Sequence, residues 1–161
     1  MVYAENTSVP ISKSKNEIER IVTKYGADQY ITAWDQKSGK GFIQFRCEGI
    51  YIKFEMTVPD INDDKFKLTD TGRERSWSQQ EKEWEQEQRR KWRALALVIK
   101  AKLEAAQSGI TTFQEEFLAH ILLPNMQTAG QHLIPQIAQA YATKKMPTML
   151  PMLEAPKGKR K

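Results

Sequence analysis

The residues with the clearest chemical potential form a basic and aromatic cluster just before a long apolar run. This basic cluster comprises Arg89, Arg90, Lys91, Trp92 and Arg93. Guanidinium and ammonium groups bind phosphates and an exposed indole can stack on a base, so the cluster predicts a contact with nucleic acid. Glu85 and Glu87 stand four residues before Arg89 and Lys91, the order that favours ion pairs along a helix. A core helix with a charged collar is therefore the favoured interpretation of this stretch.

Three tryptophans are spaced to share one broad face of the same helix. Trp77, Trp84 and Trp92 are separated by 7 and 8 residues, or about two turns at roughly 3.6 residues per turn. Three interpretations stay open for this face. The indoles dock on a neighbouring element, they take part in binding nucleic acid, or Trp77 and Trp84 anchor a partner protein, since Trp and Arg are common interface anchors.

A second candidate surface is the outer face of a predicted sheet. Aromatic and basic side chains on such a face stack and hold bases in sheet-based single-strand binders, although they more often form cross-strand packing pairs. The candidates on this face are Tyr30, Arg46, Tyr51 and Lys53.

The net charge of +5 is concentrated at the end of the chain. The last five residues form a basic tail whose cations are Lys157, Lys159, Arg160 and Lys161. The preceding residues are left with a net charge near +1. A short basic tail adds phosphate affinity by releasing counterions but reads no sequence, and such tails also serve as solubilising ends.

Groups that could catalyse a reaction or hold a metal are few and poorly spaced. They are Asp60, Asp63, Asp64, His120, His132 and Cys47. The aspartates lack the spacing of a calcium loop, and the two histidines have no third ligand nearby. The chain also has no glycine-rich phosphate loop and no nucleophile elbow. We therefore predict no enzymatic activity, no catalytic residue, no metal site and no cofactor.

Hydrophobic periodicity places a helix and a β-meander in the first part of the chain. Ser14 to Glu17 has the pattern of a capping box, and the apolar stripe that follows predicts a helix ending at Gly26. Between residues 29 and 58 the period changes to two, with glycine-containing turns, which predicts a three-stranded antiparallel sheet. Residues 58–76 have no period and predict a flexible loop.

Three helices are predicted after this loop. The first is long and runs from Ser76 or Ser78 to Ser108, with its second half apolar on nearly every side. A shorter helix follows Thr112, and another begins near Thr128, with Pro135 either kinking it or marking its proper start. The expected fold class is α+β, with a single domain over residues 1–156 and the basic tail at 157–161.

Cysteine usage and hydropathy indicate a compartment. One cysteine fits a reducing cytoplasm, and no charged start followed by an apolar segment indicates a secretory signal. The longest apolar run, Ala94 to Ile99, is far shorter than the roughly 20 residues needed to span a bilayer. We expect a soluble, cytoplasmic protein with no membrane contact.

Several short stretches together carry a resemblance to known sequences. They are residues 12–19, 24–27, 92–105, 109–119 (GITTFQEEFLA) and 135–137. In combination they resemble a family of small phage- and prophage-encoded proteins of uncharacterised activity, over most of residues 7–151. The resemblance implies a phage gene product in the bacterial host cytoplasm with a role in replication, recombination or host takeover. It supplies no catalytic residues.

Two functional hypotheses follow. The leading one is a non-enzymatic phage-type accessory protein that binds DNA or RNA through the basic cluster, the sheet face and the tail. The alternative is an adaptor or inhibitor that binds a host or phage protein through the tryptophan face. Salt separates them, because phosphate binding weakens steeply with ionic strength and an apolar interface does not. The sequence leaves the oligomeric state open.

Overall fold

A computed structural model of the chain describes residues 3–4, 6–35 and 39–146. The elements in chain order are α1 (Ile11–Lys24), β1 (Gln29–Asp35), β2 (Lys40–Cys47), β3 (Ile50–Thr57), α2 (Asp64–Lys67), α3 (Trp77–Gln107), α4 (Phe113–Phe117), a 3-10 turn (Leu118–His120) and α5 (Ala129–Thr143). The predicted α+β architecture, with a helix, a three-stranded sheet, a long helix and shorter C-terminal helices, is confirmed.

The sheet is an antiparallel meander in the order β1-β2-β3. The turn between β2 and β3 consists of Glu48 and Gly49, whose φ angles of 52° and 76° suit the tight hairpin turns that match strand twist. Residues alternate between a buried inner face and an outer face, most clearly in β2 and β3. Ile52 and Phe54 are buried on the inner face, as the alternation predicts.

The core forms where α1 and α3 pack together against the inner face of the sheet. Ile18 and Val22 of α1 and Ile99 and Leu103 of α3 are each no more than 2% exposed. Phe117 of α4 closes one end of this core, with its ring edge-on to Phe45 and Phe54 at centroid distances of 5.9 and 6.2 Å. The second half of α3 is thus a core helix as predicted on one face, but the expectation of burial on nearly every side is wrong, because Leu97 and Val98 are 42% and 43% exposed.

Three of the predicted helix starts are confirmed and one is wrong. Ser76, Thr112 and Thr128 each form a reciprocal capping box with the residue three positions later. In α1, however, the N-cap is Pro10, and Ser14 lies inside the helix with a fully buried side chain. The helix starts one turn earlier because Ile11 extends the apolar face and packs against the core.

The segment 58–76, predicted as a loop, contains regular structure. Phe66 is 4% exposed and packs α2, a single helical turn, against α3. Leu68 and Glu74 then form an isolated antiparallel bridge. One buried aromatic side chain thus organises a stretch whose polar composition gave no periodic signal.

Candidate functional site

Each of the first two arginines of the basic cluster is held by an acceptor on its own helix. Arg89 donates to the Gln86 amide oxygen at 2.8 Å and to a Glu85 carboxylate oxygen at 3.2 Å. Arg90 forms a two-pronged pair with Glu87, with N···O distances of 2.8 and 2.7 Å. A guanidinium that donates two hydrogen bonds to one carboxylate has few N–H groups left to bind a phosphate.

Lys91 and Arg93 connect α3 to neighbouring elements. The Lys91 ammonium donates to the main-chain oxygen of Thr57 at 2.7 Å, and burial lowers the pKa of this ammonium. The Arg93 guanidinium donates to a Glu17 carboxylate on α1, and this hydrogen bond raises the pKa of Arg93. These two cations act as cross-links that hold α3 to β3 and α1.

The three predicted face-sharing tryptophans have different environments. Trp92 is 5% exposed and lies in the core, with the Lys15 ammonium 4.5 Å above its ring. Trp84 is half-buried and its Nε1 donates to the Pro59 main-chain oxygen at 2.8 Å. Trp77, at the helix start, is 62% exposed. The indoles of Trp84 and Trp92 therefore serve internal packing, which was one of the three interpretations left open.

The outer face of the sheet brings together three of its four predicted residues. Arg46 pairs with Asp28 through two bonds of 2.8 and 2.5 Å, and this guanidinium lowers the pKa of Asp28. The Tyr51 hydroxyl donates to Gln29 at 3.1 Å, and the Arg46 guanidinium lies 5.7 Å from the Tyr51 ring. These side chains interact with one another across strands.

Lys53 lies on the same outer face. Its ammonium is 2.6 Å from Glu55 and 5.0 Å from the centroid of the Phe42 ring. Along with the arginine pair, this arrangement gives the face alternating charges rather than a continuous basic track. Every basic side chain predicted here for phosphate contact has an acidic neighbour.

The prediction for Tyr30 is wrong, because this side chain is on the inner face. Tyr30 is in register with Phe45, which is 1% exposed, and Phe45 is in register with the buried Ile52. The Tyr30 hydroxyl donates to the Lys15 main-chain oxygen at 3.2 Å, and burial raises the pKa of Tyr30 to about 12. Because apolar residues occur on both faces of β1, the sequence did not show which of its residues face the core.

The tail cations Lys157, Lys159, Arg160 and Lys161 lie outside the described residues. Their contribution to nucleic-acid binding stays a prediction from the sequence.

The three aspartates considered for catalysis are exposed, whereas the two histidines and the cysteine are at least partly buried. His120 stacks on Phe54 at 3.9 Å, and burial together with the nearby Lys102 ammonium lowers the pKa of His120. Cys47 ends β2 and is 4% exposed, and burial raises the pKa of its thiol. Within residues 3–4, 6–35 and 39–146, no group of three His, Cys, Asp or Glu side chains is arranged to hold a metal.

The helix α5 is attached to the body through its first turn. Gly130 lies so close to the 3-10 turn that an added Cβ would be 2.8 Å from the Ala119 main-chain oxygen. Thr128 caps the helix, and the Gln131 side chain donates to Glu55 of β3 at 3.1 Å. A cavity of about 400 Å³ opens beside this attachment, lined in part by Lys53, His120 and Ile134.

Beyond this attachment, α5 presents apolar side chains to solvent. Ile134, Ile137 and Tyr141 are 64%, 40% and 84% exposed and stand at i, i+3 and i+7, so they form one stripe. This stripe is called the α5 stripe below. No Asp, Glu, Lys or Arg occurs anywhere in Ala129–Thr143.

Pro135 lies inside α5, directly after Ile134, the first residue of the α5 stripe. Proline has no N–H to donate to the Gln131 carbonyl and its ring crowds that turn. The Gln136 side chain donates to the main-chain oxygen of the neighbouring His132 at 3.1 Å. The sequence predicted this helix but not the exposure of its apolar side chains. Its run of fifteen uncharged residues could have indicated that exposure.

Comparison with known proteins identifies no relative of this chain. Among the residues that the structure describes, no helix is both long and apolar enough to cross a bilayer. No protein-family model, no curated protein and no solved structure matches the chain, and the resemblance to phage proteins stays a prediction.

Proposed function

We propose that this chain is a non-enzymatic adaptor that binds a partner protein with the α5 stripe. One observation carries the proposal: an uncharged helix, attached through its first turn to the described body, exposes two isoleucines and a tyrosine in a single row. Exposed apolar rows on a projecting helix are typical of segments that enter a hydrophobic groove with anchors at i, i+3 and i+7.

The energetics of such an interface favour this helix over the basic cluster. Burying a fully exposed isoleucine contributes about 1.5–3 kcal/mol, and the two of the stripe, 64% and 40% exposed, contribute a corresponding part of it. Tyrosines are enriched among residues that dominate binding. The helix has no charge to desolvate when the groove closes over it. In contrast, Arg89, Arg90 and Arg93 would have to break ion pairs with Glu85, Glu87 and Glu17 before meeting a phosphate.

The resemblance to phage and prophage proteins gives the proposal its setting. We propose that the partner is a host or phage protein of the bacterial cytoplasm and that binding changes the partner's activity during phage replication, recombination or host takeover. The nucleic-acid hypothesis is kept as a test of the basic tail, where its remaining support lies.

Site-specific photo-crosslinking tests the adaptor. A photoreactive residue replaces Ala138, next to the α5 stripe, or the exposed Ala101 on α3 as the matched position. We expect a discrete protein adduct in bacterial extract from position 138 and none from position 101. The protein in the adduct is identified by mass spectrometry, purified, and titrated against the full chain by calorimetry.

The variant Ile134→Gln/Ile137→Gln/Tyr141→Gln should weaken this purified complex at least about a hundredfold, or about 2.7 kcal/mol. The control Leu97→Gln/Val98→Gln removes two other half-exposed apolar side chains, at 42% and 43% exposure, and should leave affinity unchanged. Equal crosslinking at both positions, or equal loss in both variants, would refute the α5 stripe as the binding element.

A further inference from the structure

Among the described residues, the strand β1 has one main-chain edge with no strand beside it. Val58 N–H donates to the Gly39 carbonyl at 2.7 Å, so the odd-numbered residues of β2 direct their main-chain groups toward β3. The even-numbered residues of β2 consequently face β1, where their register partners are residues 29, 31, 33 and 35. The N–H and C=O groups of Tyr30, Thr32 and Trp34 therefore point out of the sheet.

Nothing in the described parts of the chain pairs with this edge, since β1 is the first strand in a sheet of order β1-β2-β3. The strand also lacks the features that usually protect an edge: its sequence, QYITAWD, has no lysine, proline or glycine. Ile31 and Trp34 beside the edge are 49% and 57% exposed. This is a strand that can accept another strand.

The side chains of β1 are complementary to a second, antiparallel copy of themselves. With Thr32 on a two-fold axis, Tyr30 lies opposite Trp34 of the second copy, and Thr32 lies opposite Thr32 of the second copy. Aromatic pairs and Thr–Thr pairs are among the cross-strand pairs that stabilise antiparallel sheets. On the outer face, Ile31 meets Ala33 of the second copy.

With Thr32 on the two-fold axis, the outward-facing main-chain N–H and C=O groups of β1 also find partners. All three outward-facing residues become hydrogen-bonded pairs, each exchanging two bonds. Trp34 in addition gains a neighbour that its own sheet does not supply, because its partner on β2 is Gly41. The termini of the strand bring Gln29 opposite Asp35 of the second copy, so no like charges face each other.

From these observations we infer that the protein forms a symmetric dimer by pairing β1 with β1 of a second copy. The two three-stranded sheets join into one antiparallel sheet of six strands. The dimer presents two α5 helices, so a partner with two grooves would be bound with higher avidity. The inference rests on β1 alone and does not depend on the adaptor role of α5.

Sedimentation over about a hundredfold range of protein concentration tests the dimer, since association follows mass action. We expect the full chain to shift from monomer to dimer. Thr32→Pro removes an outward N–H that the internal ladder does not use, and should stay monomeric while keeping its circular dichroism spectrum. Thr32→Val retains the N–H and should still dimerise. A wild-type chain that is monomeric throughout, or a dimer indifferent to Thr32→Pro, overturns the inference.

Disulfide trapping tests the register without relying on proline. Thr32→Cys places two thiols opposite each other on the axis, at a Cα separation of about 5.5 Å that a disulfide spans. Ile31→Cys is the matched control, because residue 31 is diagonal to its copy at about 7–8 Å. Oxidation should crosslink the first variant and not the second, whereas the wild-type Cys47 is buried. Equal crosslinking of both variants, or none in Thr32→Cys, contradicts this register.

A dimer through α5 would be an alternative, and one variant separates the two. Ile134→Gln/Ile137→Gln/Tyr141→Gln should dimerise as the wild type does, and Thr32→Pro should still give the photo-crosslinked adduct from position 138. Loss of the dimer in the α5 variant would assign self-association to α5 and overturn the pairing of β1.

Discussion

The first half of α3 and the projecting part of α5 show opposite relations between composition and exposure. The first half of α3 is rich in arginine and tryptophan, yet its arginines are paired and Trp92 is in the core. The projecting part of α5, residues 134–143, has no charged residue, yet three of its apolar side chains are exposed. Arginine and tryptophan, which often bind ligands, can thus be occupied by contacts within the fold, while a helix without charged residues supplies the exposed surface.

The difference arises from neighbours rather than from the helices themselves. α3 lies between α1, the sheet and α2, so its polar groups meet acceptors such as the carbonyls of Thr57 and Pro59. α5 follows the 3-10 turn and meets the body at Gly130 and Gln131, and its later residues are mostly exposed. Three predictions test how firmly this contrast holds.

The largest expected effect separates the tryptophans of α3. Trp92→Ala leaves a cavity in the core and should lower the free energy of unfolding by about 3–5 kcal/mol. Trp77→Ala should change it by less than about 0.5 kcal/mol, because this side chain is mostly exposed. Urea denaturation of both variants provides the comparison. Similar losses in the two would mean that the helix start is more tightly packed than its exposure indicates.

Local signals were sufficient to predict most elements of the fold. The turns at Gly26 and Gly49, the alternation in β3 and the caps at Thr112 and Thr128 are properties of a few neighbouring residues. The start of α1 was missed because Ile11 owes its helical position to the core it packs against. Phe66 and α2 were missed for the same reason.

The candidate site was much less predictable. Spacing placed Trp84 and Trp92 on one face, but whether that face is covered depends on the Pro59 carbonyl and on Lys15, far away in sequence. Which residues of β1 face the core depended on its register with β2, which placed Tyr30 on the inner face. The exposure of α5 depended on where the remaining elements end. Each of these is a tertiary property.

A smaller effect is expected at the attachment of α5, where His120 stacks on Phe54. Burial lowers the pKa of His120 in the folded protein below the unfolded value of about 6.5. The neutral ring therefore stabilises the fold fully above that unfolded pKa, and this contribution is lost as pH falls through the folded pKa. The wild type should lose more stability between about pH 8 and about pH 5 than His120→Phe does.

Urea denaturation at both pH values measures the difference, with Trp77→Ala as a control that retains His120 and the wild-type pH dependence. The stability of His120→Phe could instead depend on pH as the wild type's does. The acid sensitivity would then come from carboxylates such as Asp28 and Glu55, whose pKa values are lowered by ion pairing. The stacking of His120 on Phe54 would then contribute nothing to the pH dependence of stability in this range.

The smallest expected effect is a change of essentially zero, and it concerns the basic cluster. Arg89→Ala/Arg90→Ala should leave any affinity for DNA unaltered, because both guanidinium groups are held by Glu85, Gln86 and Glu87. Truncation after residue 156 should remove that affinity, since the tail carries four cations. Fluorescence anisotropy across a salt series checks both, and four phosphate contacts give a log–log slope of about −3.6 on duplex DNA.

The salt slope also decides between the two regions if the expectation fails. A slope that persists after truncation and falls with the arginine change would mean that the glutamates release their arginines to phosphate. The first half of α3 would then be a binding surface after all, and the nucleic-acid hypothesis would regain the lead. A slope that disappears with the tail assigns the binding of DNA to the tail, and leaves α5 as the exposed surface whose protein partner has to be found.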